Sequence, residues 1–375
     1  MSVIQPLNNS EARFMARAIE LAQRGLYSTD PNPRVGCVIV QGGAIVGEGW
    51  HQRAGEAHAE VMALKAAGPR SQGGTAYVSL EPCSHHGKTP PCSRALIESG
   101  IRRVVAAMED PNPKVAGSGL LELRAAGIET SCGLLKASAE ALNPGFCQRM
   151  RQQRPLIRSK LAMSLDGRTA MASGESRWIT GEAARLDVHR LRARSSAIIT
   201  GSGTVLADDP ELTARLPDHQ AFIEQPVRII LDSRGRCPQH LTMSQTPGRK
   251  VLLTALTAYK NHRPEGFEVV RLSSDQAGRL RLEAVMEWLE LQEFNEVLFE
   301  AGATLNGNLL REGWVDEWRI YMAPIILGDQ GRGLFHLPHL ERMEDRFILS
   351  LTDYRQIGSD LRLTLKAAHS STPPP

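Results

Sequence analysis

Cysteine is scarce in this chain: six residues in 375, at positions 37, 83, 92, 132, 147 and 237. That sparsity excludes a disulfide-stapled secreted scaffold and suits a reducing compartment, so a cytoplasmic location is expected. Long apolar runs are missing too. Nothing approaches the roughly 20 residues of a membrane span, and MSVIQPLNNSEARF lacks the apolar centre of a signal peptide. No membrane partner is expected. Aromatics make up 5% of the residues and the net charge is +3, which leaves no basic, aromatic-interleaved surface for nucleic acid. A G-x-G-x-x-G turn after a first strand is absent as well, so the usual Rossmann dinucleotide fingerprint is not present. What remains is a globular composition, 42% hydrophobic and 23% charged, on a chain long enough for two domains.

The densest chemistry lies between His58 and Cys92. The stretch opens with His58-Ala59-Glu60 and closes with S-L-E-P-C-S-H-H-G-K-T-P-P-C, which places Cys83 and Cys92. One imidazole and two thiolates make three soft zinc ligands, and three protein ligands leave a fourth position for water, the catalytic arrangement. Glu60 is near enough to face that water without ligating the metal. The layout H-x-E, then P-C, then Cys is that of the zinc deaminases, except that eight residues rather than two separate the cysteines. A structural zinc knuckle would need a fourth close ligand and gives Glu60 no role. With the ligands supplied, His85 and His86 read as loop structure or substrate contacts.

Local patterns give this motif a setting. Apolar spacing predicts a helix over Glu11–Leu26 with Ser10 as N-cap, stopped by Gly25 and Asp30-Pro31-Asn32-Pro33. A buried strand Val35–Val40, a turn at Gln41-Gly42-Gly43 and a returning strand Ala44–Trp50 follow. Then come helix Glu60–Ala67, strand Ala76–Leu80, helix Ser93–Ser99, strand Val104–Ala107, helix Leu120–Ala126 and strand Ile128–Cys132. Such alternation means an α/β sheet. The zinc ligands fall at two helix starts, where the dipole favours anionic ligands.

Asn143-Pro144-Gly145-Phe146 is read as the end of this domain, which is assigned 1–148, with 149–375 as the second. Gln148–Gln153 is a basic bridge, either a solvated linker or the end of a helix. Beyond it the pattern predicts strand Leu156–Met163, helix Glu182–Arg194, strands Ala197–Thr200, Val227–Asp232 and Val251–Thr254, helix Leu280–Glu290 and strand Glu296–Phe299. The last strand runs into Glu300–Gly307, a glycine turn that opens a helix. That arrangement suits a pyrophosphate, although an ordinary tight turn explains it equally well. The tail 368–375 is expected to be disordered.

The segments P-N-P-R-V-G-C-V-I-V, H-Q-R-A-G-E-A-H-A-E-V, L-E-P-C-S-H-H-G-K-T-P-P-C and D-P-N-P-K-V-A-G-x-G resemble the deaminase half of the bifunctional riboflavin-biosynthesis deaminase/reductases. The eight-residue cysteine spacer is part of that resemblance. In the second half K-L-A-M-S-L-D-G-R, S-x-W-I-T, G-x-G-T-V-x-A-D-x-P-x-L-T-x-R and V-x-x-E-A-G resemble the reductase half. The resemblance implies a cytidine-deaminase-like three-layer α/β/α domain followed by a dihydrofolate-reductase-like α/β domain, which binds NADPH without the Rossmann motif. It implies hydrolytic deamination at C2 of a phosphoribosylated diaminopyrimidinone, with Glu60 shuttling the proton, and then reduction of the ribose to its ribityl form.

Carried over by motif, Asn32, His51 and Lys88 would hold the pyrimidine substrate and its phosphate. Each has a plainer reading, Asn32 as a turn former and the other two as solvated surface. Ala162, Trp178, Thr204, Asp208, Ser233 and the turn Gly302, Ala303, Thr304, Leu305, Asn306, Gly307 and Asn308 would lie along NADPH. Ser176, Arg192, Leu212, Arg215 and Glu300 would hold the second substrate. Asp208 is the candidate to assist hydride transfer, and Asp209 caps the following turn. Arg192 and Arg215 also read as helix-surface ion pairs, and Trp178 as core. A homodimer through the second half is expected from the same resemblance.

Overall fold

The computed structural model describes residues 9–84, 90–113, 115–217, 223–255, 263–338 and 340–367. The expected disordered tail, Lys88, His85 and His86 all lie outside the described residues. Contacts divide the chain into Met1–Arg154 and Pro155–Pro375.

The first unit runs α1 (Asn9–Gln23), β1 (Gly36–Gln41), β2 (Ala44–Trp50), α2 (Ala59–Ala67), β3 (Thr75–Val78), α3 (Cys92–Glu98), β4 (Arg103–Ala106), α4 (Ser118–Ala125), β5 (Glu129–Cys132), α5 (Lys136–Leu142) and α6 (Pro144–Gln152). Its sheet has the order β2-β1-β3-β4-β5. β1 is antiparallel to both β2 and β3, whereas β3, β4 and β5 run parallel. Strand alternation sorts two cores. Val38, Val40, Tyr77 and Val105 face Met15, Ala18 and Leu21 of α1 together with Ala139, Phe146 and Cys147. Cys37, Ile39, Ala76, Val78 and Val104 face Ala59, Ala63 and Ala67 of α2, Leu96 of α3 and Leu123 of α4. A sheet apolar on both faces must be covered on both, and three layers result.

Two sequence expectations change here. Ser10 lies inside α1, not before it, because the helix begins at Asn9. Pro144-Gly145 does not end the unit: Pro144 occupies the first turn of α6, where its missing N–H costs no hydrogen bond. The junction before it is buried. Asn143 accepts from Arg34 N (2.8 Å) and donates to Arg34 O (2.9 Å), which ties the Pro31–Arg34 turn to the end of α5. α2 lies close on β2, since a Cβ at Gly49 would stand 2.4 Å from Ala63 N. Only glycine admits the helix there.

The second unit runs β6 (Leu156–Ser164), β7 (Arg168–Ala170), α7 (Glu182–Arg194), β8 (Ala197–Gly201), α8 (Ser202–Asp208), β9 (Val227–Leu231), β10 (Lys250–Ala255), β11 (Glu268–Leu272), α9 (Leu282–Glu290), β12 (Glu296–Phe299), α10 (Ala303–Arg311), β13 (Glu317–Ala323), β14 (Arg332–Gly333), β15 (Leu349–Ile357) and β16 (Asp360–Ala367). Nine strands form one sheet in the order β11-β10-β9-β8-β12-β6-β13-β16-β15. It is parallel from β11 through β13, and β16 and β15 close it antiparallel. α9 and α10 cover one face through Val285, Leu289 and Leu309 on Ile199, Val297 and Trp318. α7 and α8 cover the other through Val188, Leu191 and Val205 on Ile198, Ile230 and Leu298. β7 and β14 pair separately. Among the described residues no helix is long and apolar enough to cross a membrane.

Candidate active sites

The metal-ligand candidates of the first unit converge. His58 is the N-cap of α2, Cys92 opens α3, and Cys83 lies beyond the end of β3. Their ligand atoms all lie within 4.8 Å of one another. His58 Nδ1 stands 3.2 Å from Cys92 Sγ and 3.5 Å from Cys83 Sγ. Tetrahedral zinc with ordinary Zn–N and Zn–S bonds sets ligand nitrogens and sulfurs about 3.6 Å apart. The donor set and its spacing therefore fit zinc. Cys92 N–H also points at Cys83 Sγ (3.4 Å). Hydrogen bonds from Cys92 and His58 bring the Cys83 thiol down to about 4. Sharing that proton with Cys83, and burial, raise the Cys92 thiol. Metal binding takes both cysteines as thiolates, so a bound cation would replace the proton they share.

Glu60 sits in the first turn of α2, buried, with its carboxyl pushed up to about 7 by desolvation and then by the Cys83 charge. A carboxyl poised there can both take and return a proton at neutral pH. His51 is buried rather than solvated, and burial lowers its pKa. Its Nδ1 meets Ala57 O at 3.2 Å and its Nε2 meets Asn32 Nδ2 at 3.0 Å. These contacts assign the Nδ1–H tautomer, with Nε2 accepting from the Asn32 amide. The His51 ring also stacks edge-on against His58, with centroids 5.2 Å apart. Asn32 and His51 are thus one hydrogen-bonded pair beside the ligands, and the surface reading of His51 is corrected.

The second unit holds a cavity of about 1420 Å³. It opens where the parallel strands β6, β8, β9 and β12 end, the edge at which such sheets bind ligands. Ala162, Trp178, Thr204, Asp208 and Ser233 line it, with Gly302, Ala303, Thr304, Leu305 and Asn308. Ser176, Arg192, Leu212, Arg215 and Glu300 line it too. Trp178 is 71% exposed, with Arg185 stacked 4.8 Å from its ring, so its core reading does not hold.

Asn306 and Gly307 turn away from the cavity. Asn306 is fully buried, accepting from Ser159 Oγ (2.6 Å) and donating to Ala301 O (2.7 Å). Gly307 backs onto the His336 main chain, 2.3 Å from a Cβ placed on it. Both shape the glycine turn from behind.

Charges in the cavity are largely committed. Arg192 grips Glu300 with two hydrogen bonds, 2.6 and 3.0 Å, and donates to Thr213 O at 3.1 Å. Burial opposes ionisation of Glu300, but the Arg192 charge and hydrogen bonds outweigh it and lower its pKa. Arg215 pairs with Glu211 and with Thr213 Oγ1 (2.7 Å). Asp208 receives Arg177 at its main-chain oxygen, and Asp209 accepts from Thr242 N (3.0 Å) and Oγ1 (2.6 Å).

Sequence reasoning missed Lys160, Arg234 and Arg236. All three line the cavity. Burial depresses the Lys160 ammonium, which shares the field of Glu300 and Arg192. Lys160 opens the K-L-A-M motif two residues before Ala162, and the strand period of two would have put both on one face.

Known proteins agree with this division. Residues 8–108 match the family described as the cytidine and deoxycytidylate deaminase zinc-binding region, and residues 155–363 match the RibD C-terminal domain. The riboflavin biosynthesis protein RibD of Escherichia coli (strain K12) is 51% identical over 366 residues, covering 95% of this chain and 99% of its own. Its namesake from Haemophilus influenzae is 47% identical, covering 95% and 97%. Among solved structures, RibD of Acinetobacter baumannii (form 1) superposes with a TM-score of 0.88 at 43% identity, over 96% of this chain and 99% of that one. A diaminohydroxyphosphoribosylaminopyrimidine deaminase/5-amino-6-(5-phosphoribosylamino)uracil reductase from Thermotoga maritima gives 0.86 at 34% identity, over 96% and 99%.

Proposed function

This chain belongs to the RibD family, the bifunctional deaminase/reductases of riboflavin biosynthesis, and from that premise we propose how its own residues divide the two reactions. The enzyme pairs a zinc-binding deaminase domain, a hydrolase, with a reductase domain, an oxidoreductase. Its substrate is a phosphorylated pyrimidine. We assign the first step to hydrolysis at C2 of 2,5-diamino-6-(5-phosphoribosylamino)pyrimidin-4-one. The second is NADPH reduction of the ribose in the resulting 5-amino-6-(5-phosphoribosylamino)uracil.

The observation that carries the first step is Glu60 buried beside three zinc-spaced ligands. His58, Cys83 and Cys92 would hold the metal, which would supply Lewis acidity. Glu60 takes a proton from the attacking water and delivers it to the ring nitrogen and then to the leaving amine. Asn32 and His51 orient the pyrimidine edge as a fixed pair, and we keep Lys88 as the candidate for its phosphate.

In the second unit a bound nicotinamide cofactor would supply the hydride. The Gly302–Leu305 turn at the start of α10 suits its pyrophosphate. Arg234 and Arg236 follow Ser233 on the cavity wall, which gives cations for a further phosphate and favours NADPH over NADH. Arg215 meets the substrate phosphate, and Arg192 and Glu300 hold the ribose as a rigid pair. Lys160, with its lowered pKa, is a better proton donor to the ribose oxygen than Asp208, which stands at the end of α8. Free thiols at a zinc site suit a reducing cytoplasm.

Incubation with the diaminopyrimidinone phosphoriboside should release ammonia, and later addition of NADPH should consume its absorbance. Ammonia without NADPH oxidation, or oxidation with NADH at equal rate, would refute the reductase half of the assignment. A homodimer forms through β15, the sheet edge on which Leu351 and Tyr354 are 55% and 70% exposed. Sedimentation should give twice the 41.1 kDa chain mass, and Leu351→Lys should return a monomer.

A further inference from the structure

The segment D-P-N-P-K-V-A-G-x-G takes no part in the chemistry described so far, yet its backbone converges on one carboxylate. Glu81 is buried. Its Oε1 accepts from Gly119 N (2.9 Å) and Leu120 N (3.3 Å). Its Oε2 accepts from Asp110 N (3.0 Å) and Gly117 N (3.0 Å). Among the described residues no arginine or lysine pairs with it, and these four N–H groups are its hydrogen-bond partners.

The neighbours of both cysteine ligands are anchored on the same segment and the helix after it. A Cβ on Gly119 would stand 1.9 Å from Pro82 O, so the segment rests directly on the residue before Cys83. Ser84, the residue after Cys83, shares a 2.7 Å hydrogen bond with Ser118. Ser93, the residue after Cys92, donates to Glu122 at 2.7 Å, and both its N–H and its hydroxyl reach Cys83 O, at 3.1 and 3.2 Å.

We infer that Glu81 is the positioning residue of the deaminase site, clamping the main chain at Asp110, Gly117, Gly119 and Leu120 against Pro82 so that Cys83 is held at metal-binding distance from His58 and Cys92. The chemistry asks for a carboxylate. Each oxygen receives two donors, so a glutamine of equal size must turn an NH2 toward one pair and lose both bonds. Pro82 makes the lever short and stiff: with its φ fixed, movement of Glu81 is passed to Cys83. Supports of this kind, once removed from the ligands, commonly change metal affinity by about 10- to 100-fold.

The inference rests on the zinc reading, and the test keeps the two apart. Full-length wild type and Glu81→Gln are stripped of metal and titrated with zinc against a chromophoric chelator. One zinc per wild-type chain is required by the zinc reading itself. Amide exchange on the metal-free proteins reads the clamp without zinc, and faster exchange is expected in the variant at one of the two pairs, Asp110 with Gly117 or Gly119 with Leu120. The zinc dissociation constant should rise about 10- to 100-fold. At saturating zinc, kcat for ammonia release should fall with KM nearly unchanged, and the reductase rate should be that of wild type. An unchanged zinc constant and kcat, accompanied only by a lower melting temperature, would overturn the inference and leave Glu81 a structural filler. If Glu81→Gln does not fold, Gly119→Ala keeps the carboxylate and displaces Pro82 instead. It must weaken zinc as well, and normal affinity there would equally refute the clamp.

Discussion

Replacing Glu300 with glutamine should cost the second unit more than an average surface change, because it strands a buried guanidinium. The Arg192 and Glu300 side chains are 15% and 10% exposed and joined at 2.6 Å. With the carboxylate neutralised, Arg192 keeps Thr213 O at 3.1 Å and one amide oxygen, while Lys160 loses its nearest opposing charge. Removing one partner of a buried pair costs about 3–5 kcal/mol. In a unit of this size 1 kcal/mol moves the midpoint by about 2–4 °C, which gives a fall of roughly 6–20 °C. Calorimetry of wild type, Glu300→Gln, Glu300→Leu, Arg192→Met and the double variant Glu300→Leu with Arg192→Met measures it. The double variant should recover much of the loss, since two apolar groups leave no orphaned charge, but it should not reduce substrate. Acid adds an independent check. A carboxyl with a lowered folded pKa stabilises the protein above its unfolded value and loses that contribution as pH falls through the folded one. Glu300→Gln should therefore flatten the acid limb below about pH 4.3. A midpoint within about 2 °C of wild type, or single-variant losses that simply add, would refute the coupling.

Three other outcomes follow from the same geometry. Glu60→Gln keeps all three metal ligands and should lower kcat for ammonia release by about 10²- to 10⁴-fold. Zinc content and the reductase rate should not change; loss of zinc would make Glu60 a ligand instead. His189 accepts from Arg215 N at 3.2 Å, and burial, then Arg192 and Arg215, lower it to about 4. The unfolded chain thus binds a proton between about pH 6.5 and 4 that the folded one refuses. Stability of the second unit should fall on acidification through that window, and His189→Gln should remove the slope. Asn306→Ala orphans Ser159 Oγ and Ala301 O and should cost about 2–6 kcal/mol at one to three per group. A near-neutral result would show that the glycine turn does not depend on that bridge.

The zinc site was legible because its chemistry is compressed into short spacings that depend on local structure alone. His58 and Glu60 share one helix start, and two thiols flank a proline-rich turn. Alternating strands and helices were legible for a similar reason, since period two and period 3.6 are local. The unread parts each needed a partner distant in the chain. α6 looked like a terminus because Pro144 punctuates sequence equally well before and after a boundary, and only Phe146 and Cys147 buried against α1 decide which. β15 carries mostly exposed side chains, and β16 alternates Leu361, Leu363 and Leu365 with buried polar Asp360, Arg362 and Thr364, the reverse of the usual apolar-in pattern. Asn306 sits in the correct motif, but its side chain serves Ser159, 147 residues earlier.

Arg192 and Arg215 show how two like charges take different roles for the same reason. Each has the fork that phosphate recognition uses, yet the cavity contains carboxylates as well as ligand space. Arg192 is spent on Glu300, while Arg215 is held by Glu211 at the surface. Arg192, held through Nε, Nη1 and Nη2, positions other groups, whereas Arg215 is bonded through Nη1 alone and can turn its other edge to a phosphate. Lys160 differs from both: among the described residues it makes no ion pair, and burial already disfavours its proton. The parallel strands make this difference functional. β12 ends at Phe299 opposite Ser159 of its neighbour β6, so Lys160 and Glu300, each the next residue along, arrive together at the cavity floor. Arg192 reaches the same carboxylate from α7, on one covered face of the sheet. Residues brought there by three separate elements share no spacing in the sequence, and the sheet alone assembles them.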